Sequence, residues 1–237
     1  MKKAIGVLGG MGPEASVYLY KTLIELSISE FGAANNSEFP EIILDSVPVP
    51  DFISSDKDKL KANKMLQIRV KQLSLMPLAC FGIACNTAHM LLPDLQAMTS
   101  VPFVSMIDAV VNEVKKNKLQ KVGILGTPST LRSGLYHKAL SKQGIKAVSP
   151  EEKEFPILER AIRNVIGGVT SKQDAKALRE LANSLKEQGA EGIILGCTEL
   201  PLVFPSNFTL PIYNSVTILA RDLLRRYYKK ATMGATL

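Results

Sequence analysis

Short, unbroken apolar runs alternate along this chain with longer stretches in which apolar and polar residues mix. Residues 4–8 are apolar and lead into Gly9 and Gly10, after which Pro13 suits the first turn of a helix reaching to about residue 31. The alternation returns with an apolar run at 42–47, a Lys-rich amphipathic stretch at 57–73, another run at 81–84 and a helical stretch up to residue 98. It continues through Phe103 and Val104, a helix near 107–116, a run at 122–125 and a helix over 130–143. Apolar runs this short, separated by helices, are strands buried on both faces, which is the pattern of parallel sheets covered by helices. The expected fold class is α/β.

The pattern also repeats itself. KKAIGVLGGMGPEAS near the start resembles LQKVGILGTPSTLRS from Leu119, and FGIACNTAHMLLPDLQAMTSVPFVSM from Phe81 resembles EGIILGCTELPLVFPSNFTLPIYNSV from Glu191. Gly6 then matches Gly123, Cys85 matches Cys197 and Pro102 matches Pro211. Two pseudo-symmetric domains are expected, each a small parallel sheet flanked by helices, with the active site in the cleft between them. The first would comprise residues 1–108 and 210–237, completed by the C-terminal helix packing back on it, and the second residues 109–209.

Composition narrows the function classes. The chain has 237 residues, 46% of them hydrophobic and 22% charged, which supports a well-filled core. The formal charge of +7 raises the question of nucleic acid, but the basic residues are scattered. The denser places, Lys115 to Lys121 and Arg225 to Lys230, lack the interleaved aromatics of a single-strand binder and read as solvated faces. The apolar start is short and Gly-rich without a cleavage pattern, so neither signal peptide nor membrane segment is expected and the location expected is cytoplasmic. Three cysteines, far apart, form neither a disulfide framework nor a zinc pattern.

The chemistry-bearing residues fall after strands. In an open parallel sheet, ligands sit at the carboxyl ends of strands, where backbone N–H groups of the following helices point outward. Gly9 to Gly12 follow the first strand, Cys85, Asn86 and Thr87 the third, Gly126 and Thr127 the strand at 122–125, and Cys197, Thr198 and Glu199 the strand at Ile193. A pseudo-twofold would put Cys85 and Cys197 on opposite walls of one cleft. Two thiols so placed suit a racemase that removes a proton from one face of a carbon and returns one to the other. Asn86, Thr87, Thr127 and Thr198, with main-chain amides around Met11, are the candidate substrate contacts. Glu199 would orient Cys197 or simply favour a helix N-terminus. His89, four residues after Cys85, would support that thiol or be a capped, half-buried side chain. Cys80, inside an apolar run, is expected to be core. No cofactor motif and no metal-ligand cluster is present in the pattern.

These segments resemble the aspartate/glutamate racemase family of cofactor-independent amino-acid racemases. The matching stretches are GGMGPEAS at Gly9 to Ser16, PVPD at Pro48 to Asp51, ACNTAH at Ala84 to His89, GTPST at Gly126 to Thr130 with Gly134 and Tyr136 beyond it, and GCTEL at Gly196 to Leu200. The resemblance implies catalytic roles for Cys85 and Cys197, no cofactor, an aspartate- or glutamate-like amino-acid substrate and a homodimer. It also marks departures. Phe52 stands where aspartate-type members carry Arg, and where the family has a substrate-binding Lys before a Gly, this chain offers only Arg160 and Arg163. The residues themselves leave two other readings open, a single-cysteine isomerase or decarboxylase of a small dicarboxylate and a non-catalytic small-ligand binder.

Overall fold

A computed structural model describes residues 3–51 and 57–233. The first half begins with β1 (Ala4–Gly9), α1 (Pro13–Ser29), β2 (Ile42–Ser46), α2 (Lys59–Leu73) and β3 (Leu78–Ile83). After a 3-10 turn over Thr87–Leu91 come α3 (Leu92–Gln96) and α4 (Met106–Lys116). The second half has β4 (Lys121–Gly126), α5 (Pro128–Ser133), α6 (Leu135–Ser141), β5 (Lys146–Val148), α7 (Phe155–Ile166), α8 (Lys172–Glu187), β6 (Ile193–Gly196), β7 (Ile212–Asn214) and α9 (Ser215–Met233). The fold is α/β, as the alternating pattern implied.

All strand pairs are parallel. One sheet runs β2-β1-β3 and the other β5-β4-β6-β7. Every residue of β1 and of β3 is buried, as a strand with helices on both faces requires. The sequence repeat is visible in the hydrogen bonds. The Phe81 amide donates to Pro102 O at 2.9 Å, and the Ile193 amide donates to Pro211 O at 2.9 Å. Phe103, bridged to Phe81, therefore occupies the place beside β3 that β7 holds beside β6.

The helices that follow these matched positions are exchanged between the halves. Ile107, Val110, Val111 and Val114 of α4 join the apolar cluster around β4 and β6. Val216, Leu219, Leu223 and Tyr227 of α9 join Ile5, Val7 and Cys80 around β1 and β3. The two helices also pack on each other. Each half thus lends an amphipathic helix to the other's sheet, which ties the two walls of the cleft together. Truncating a fully buried anchor such as Leu223 to Ala should cost about 2–5 kcal/mol.

Three local expectations are corrected. Residues 212–214 pair with β6, so the chain leaves the second sheet only at Ser215 and not at residue 210. The helix expected over 130–143 is two helices, because Gly134 adopts φ 66° between them and its left-handed turn redirects the chain. The helical stretch before residue 98 starts as a 3-10 turn, short of a full α-helix.

Candidate active site

The carboxyl ends of β1, β2 and β3 open on a cavity of about 300 Å³. Its first wall is the turn after β1, Gly10 to Pro13. Gly10 sits at φ +85° with its α-carbon against Val47, so a Cβ there would lie 2.5 Å from the Val47 amide nitrogen. The Ser16 hydroxyl ties the turn to α1, accepting from the Gly10 amide at 2.9 Å and donating to Gly12 O at 3.1 Å. Val49, Pro50 and Asp51 after β2 form a second wall, and Cys85 and Thr87 after β3 the floor. Arg163 and Ile166 of α7 close the cavity from the other half.

Cys85 is buried beneath this space, and its surroundings pull its acidity in both directions. Burial and the negative charge of Glu199 push its thiol up to about 12. The amides of Thr87 and Ala88 and the Thr87 hydroxyl act the opposite way, as donors that favour a thiolate. Thr87 is held by a triangle of hydroxyls with Thr127 and Thr130 of the other half, each pair 2.9 Å apart. Thr127 also caps α5, accepting from the Thr130 amide at 3.0 Å.

Cys197 occupies the matching position after β6. It is buried and hydrogen-bonded to Glu199, its Sγ donating to Oε2 at 3.0 Å, with the Thr198 hydroxyl donating to the same oxygen at 3.0 Å. Burial first and the Glu199 carboxylate second hold the Cys197 thiol well above the usual range, and the charge of Cys85 adds to this, so the two sulfurs feel one another. Glu199 is itself raised by burial. Its other oxygen, Oε1, is buried, has no close hydrogen-bond partner among the described residues, and faces Gly12, where any side chain would collide with it. The matched positions Thr87 and Glu199 therefore differ in kind. One thiol has a hydroxyl beside it and the other a carboxylate, which makes the pair chemically unequal.

The structure brings Met11, Cys85 and Thr87 to the cavity wall, while Cys197, Glu199, Thr127 and Thr198 are buried and do not line it. Asn86 and His89 both find partners within the protein. Asn86 does not line the cavity: its amide donates to Ser215 Oγ at 3.0 Å and its carbonyl accepts from Tyr136 Oη at 2.6 Å, a buried bridge between the halves. His89 does not reach the Cys85 sulfur. Its Nδ1 lies 2.8 Å from the Cys85 carbonyl oxygen and its Nε2 accepts from the Met106 amide at 3.0 Å, so it positions the backbone at Cys85. It is also fully buried, and burial lowers its pKa to about 4. Of the two arginines singled out in the sequence, Arg163 lines the cavity while Arg160 turns to Asp174 at 3.1 Å. Phe52 lies outside the described residues. The sequence reading missed Ser215 as the second support of Asn86, and assigned no role to Asp51, Thr130 or Tyr136. Their presence in matched motifs was the available signal for the latter three. Among the described residues, no group of three or more His, Cys, Asp or Glu is arranged to hold a metal ion, and no helix is long and apolar enough to cross a membrane.

Thiols stand at matching strand ends of the two halves, and comparison with known proteins defines the class as amino-acid racemase, an isomerase. The chain belongs to the Asp/Glu/Hydantoin racemase family, whose model matches residues 8–223. It is 25% identical over 227 residues to the broad specificity amino-acid racemase RacX of Bacillus subtilis (strain 168), covering 94% of this chain and 97% of that protein. The structure of PH1733, an aspartate racemase homologue from Pyrococcus horikoshii OT3, is similar with a TM-score of 0.79 and 32% identity, over 96% of this chain and 100% of the other. The Picrophilus torridus aspartate racemase is similar with a TM-score of 0.83 and 25% identity, over 95% and 94% of the two chains.

Proposed function

We propose that this racemase interconverts the enantiomers of a free amino acid without a cofactor, using Cys85 and Cys197 as two acid/base groups on opposite faces of the α-carbon. The observation that carries the reading is the pairing of two buried thiols at repeat-related strand ends from the two halves, one of them on the wall of a cavity of about 300 Å³. That volume lies at the small end of ligand sites, which suits a single amino acid.

In the proposed step, one sulfur as thiolate takes the α-proton as the Cα–H bond breaks. The electron pair delocalises into the substrate carboxylate, and the other thiol delivers its proton to the opposite face. In the reverse direction the two sulfurs exchange roles. Burial and Glu199 favour neutral thiols. The positive α-ammonium group of the substrate supplies the charge that makes a thiolate accessible, helped at Cys85 by the Thr87 and Ala88 amides. Glu199, bonded to Cys197, is a positioning residue that holds the thiol proton. Thr87 and the main-chain amide of Met11 are the contacts available to the substrate carboxylate, while Asn86 acts indirectly by locking Tyr136 and Ser215 together.

The test is a panel of enantiopure amino acids followed by chiral chromatography on wild type, Cys85→Ala and Cys197→Ala. The proposal expects turnover by wild type and, for each variant, loss of at least 10³-fold in both directions with the fold unchanged by circular dichroism. Near-normal turnover by either variant contradicts it. A single-cysteine isomerase would depend on one sulfur alone.

A further inference from the structure

We infer that the Asp51–Arg163 ion pair selects the side-chain class of the substrate, turning away amino acids whose side chain ends in a carboxylate and admitting uncharged ones. The inference rests on the racemase reading of the same cavity and deepens it.

The two partners come from opposite halves. Asp51 follows β2 through Val49 and Pro50, and Arg163 projects from α7 one turn before Ile166; all five line the cavity. Arg163 Nη1 donates to Asp51 Oδ2 at 2.8 Å, and its Nε donates to Glu159 Oε1 at 2.8 Å. These two carboxylates hold the guanidinium above its already high range. Arg163 is the single cationic side chain among the described residues lining the cavity. It is shared between the Asp51 and Glu159 carboxylates.

A substrate carboxylate arriving at this wall would meet a guanidinium already engaged at Nε and Nη1. It would also approach the Asp51 carboxylate, a like charge that becomes costlier as the substrate displaces water from the cavity. An uncharged side chain meets no such conflict and finds apolar surface in Met11, Val49 and Ile166. The pair itself is half exposed and contributes little to stability. Its effect is therefore expressed in the choice between substrates more than in the fold.

The experiment measures kcat/KM for aspartate and for methionine, by chiral chromatography, on wild type, Asp51→Asn, Arg163→Gln and the double variant. The inference expects wild type to favour methionine by roughly tenfold or more, the scale on which a single misplaced contact discriminates. Asp51→Asn loosens the hold on Nη1 and removes the like charge, so the aspartate-to-methionine ratio should rise by roughly tenfold or more. Adding Arg163→Gln should cancel that rise. The inference is overturned if wild type favours aspartate, if Asp51→Asn leaves the ratio within about twofold, or if the rise survives in the double variant. Failure of folded wild type to racemise any amino acid overturns the racemase reading and this inference with it.

Discussion

Acid should destabilise this protein through His89, by an amount the structure allows to be worked out. The ring is 4% exposed, and because the Met106 amide donates to Nε2, the proton must sit on Nδ1, where it is donated to the Cys85 carbonyl. Burial lowers its pKa from 6.5 to about 4. The unfolded chain therefore takes up a proton near pH 6.5 that the native state refuses, so the native advantage is complete above that pH and is lost as pH falls toward 4. Between pH 7.5 and 4.5 the loss is about 2.5 kcal/mol, from 1.36 kcal/mol per pKa unit. Other groups contribute to the slope. His137, half-buried with a lowered pKa, and the lowered carboxyls of Glu30 and Asp174 act in the same direction, while Glu199, raised by burial, gains native stability on acidification. A comparison with His89→Ala cancels these contributions. That variant leaves the Cys85 carbonyl and the Met106 amide without their partner and should be less stable at pH 7.5 by about 2–4 kcal/mol. Its further loss on going to pH 4.5 should be smaller than that of wild type by about 2.5 kcal/mol. Urea denaturation of both proteins at the two pH values, followed by circular dichroism, makes the measurement. Equal losses in the two proteins would refute the reasoning, because His89 would then not be held neutral by its burial.

Other substitutions test separate parts of the structure. Gly12→Ala pushes a methyl group into Glu199 Oε1; since a side-chain end can yield, stability should fall by only about 1 kcal/mol. The displaced carboxylate would still disturb the Cys197 thiol, and kcat should fall by roughly 10²-fold or more in steady-state assays. Gly10→Ala meets backbone at Val47 and a left-handed φ, so thermal unfolding should report a loss of at least about 2 kcal/mol. Cys80→Ala, in the first core and away from the cavity, should cost about 1 kcal/mol and leave kcat unchanged.

The strands and the repeat were legible because their physics is local and one-dimensional. A run such as residues 4–8 is apolar at every position, and only a strand covered on both faces uses such a run at that length. Offsets such as Cys85 to Cys197 then carried the pseudo-symmetry into three dimensions, where Phe81 and Ile193 make the same hydrogen bond. The exchange of helices was half legible. The partnerless final helix suggested its return to the first core, but nothing in residues 107–116 tells which sheet their apolar face will meet. The break at Gly134 was missed because an apolar pattern spans it, and the positive φ that ends α5 is a property of one backbone angle. The partners of Asn86 and His89 were not legible, for a shared reason. Both are polar residues beside a reactive cysteine, and sequence cannot distinguish a side chain that faces a ligand from one that satisfies buried backbone or hydroxyl groups. The pairing of Asp51 with Arg163 joins residues 112 positions apart and follows only from the way α7 lies across the cleft.

The central claim, that Cys85 and Cys197 act from opposite faces, is tested most directly by early-time racemisation in D₂O, started separately from each enantiomer and analysed by chiral separation with mass spectrometry. With two bases, the product enantiomer receives its α-hydrogen from the far thiol, which has exchanged with solvent, whereas a substrate molecule that returns recovers its own proton from the near one. The account predicts that deuterium appears in the product enantiomer and is absent from the remaining substrate, whichever enantiomer is supplied. Deuterium entering substrate and product at equal rates would mean that one group serves both faces, and would contradict it.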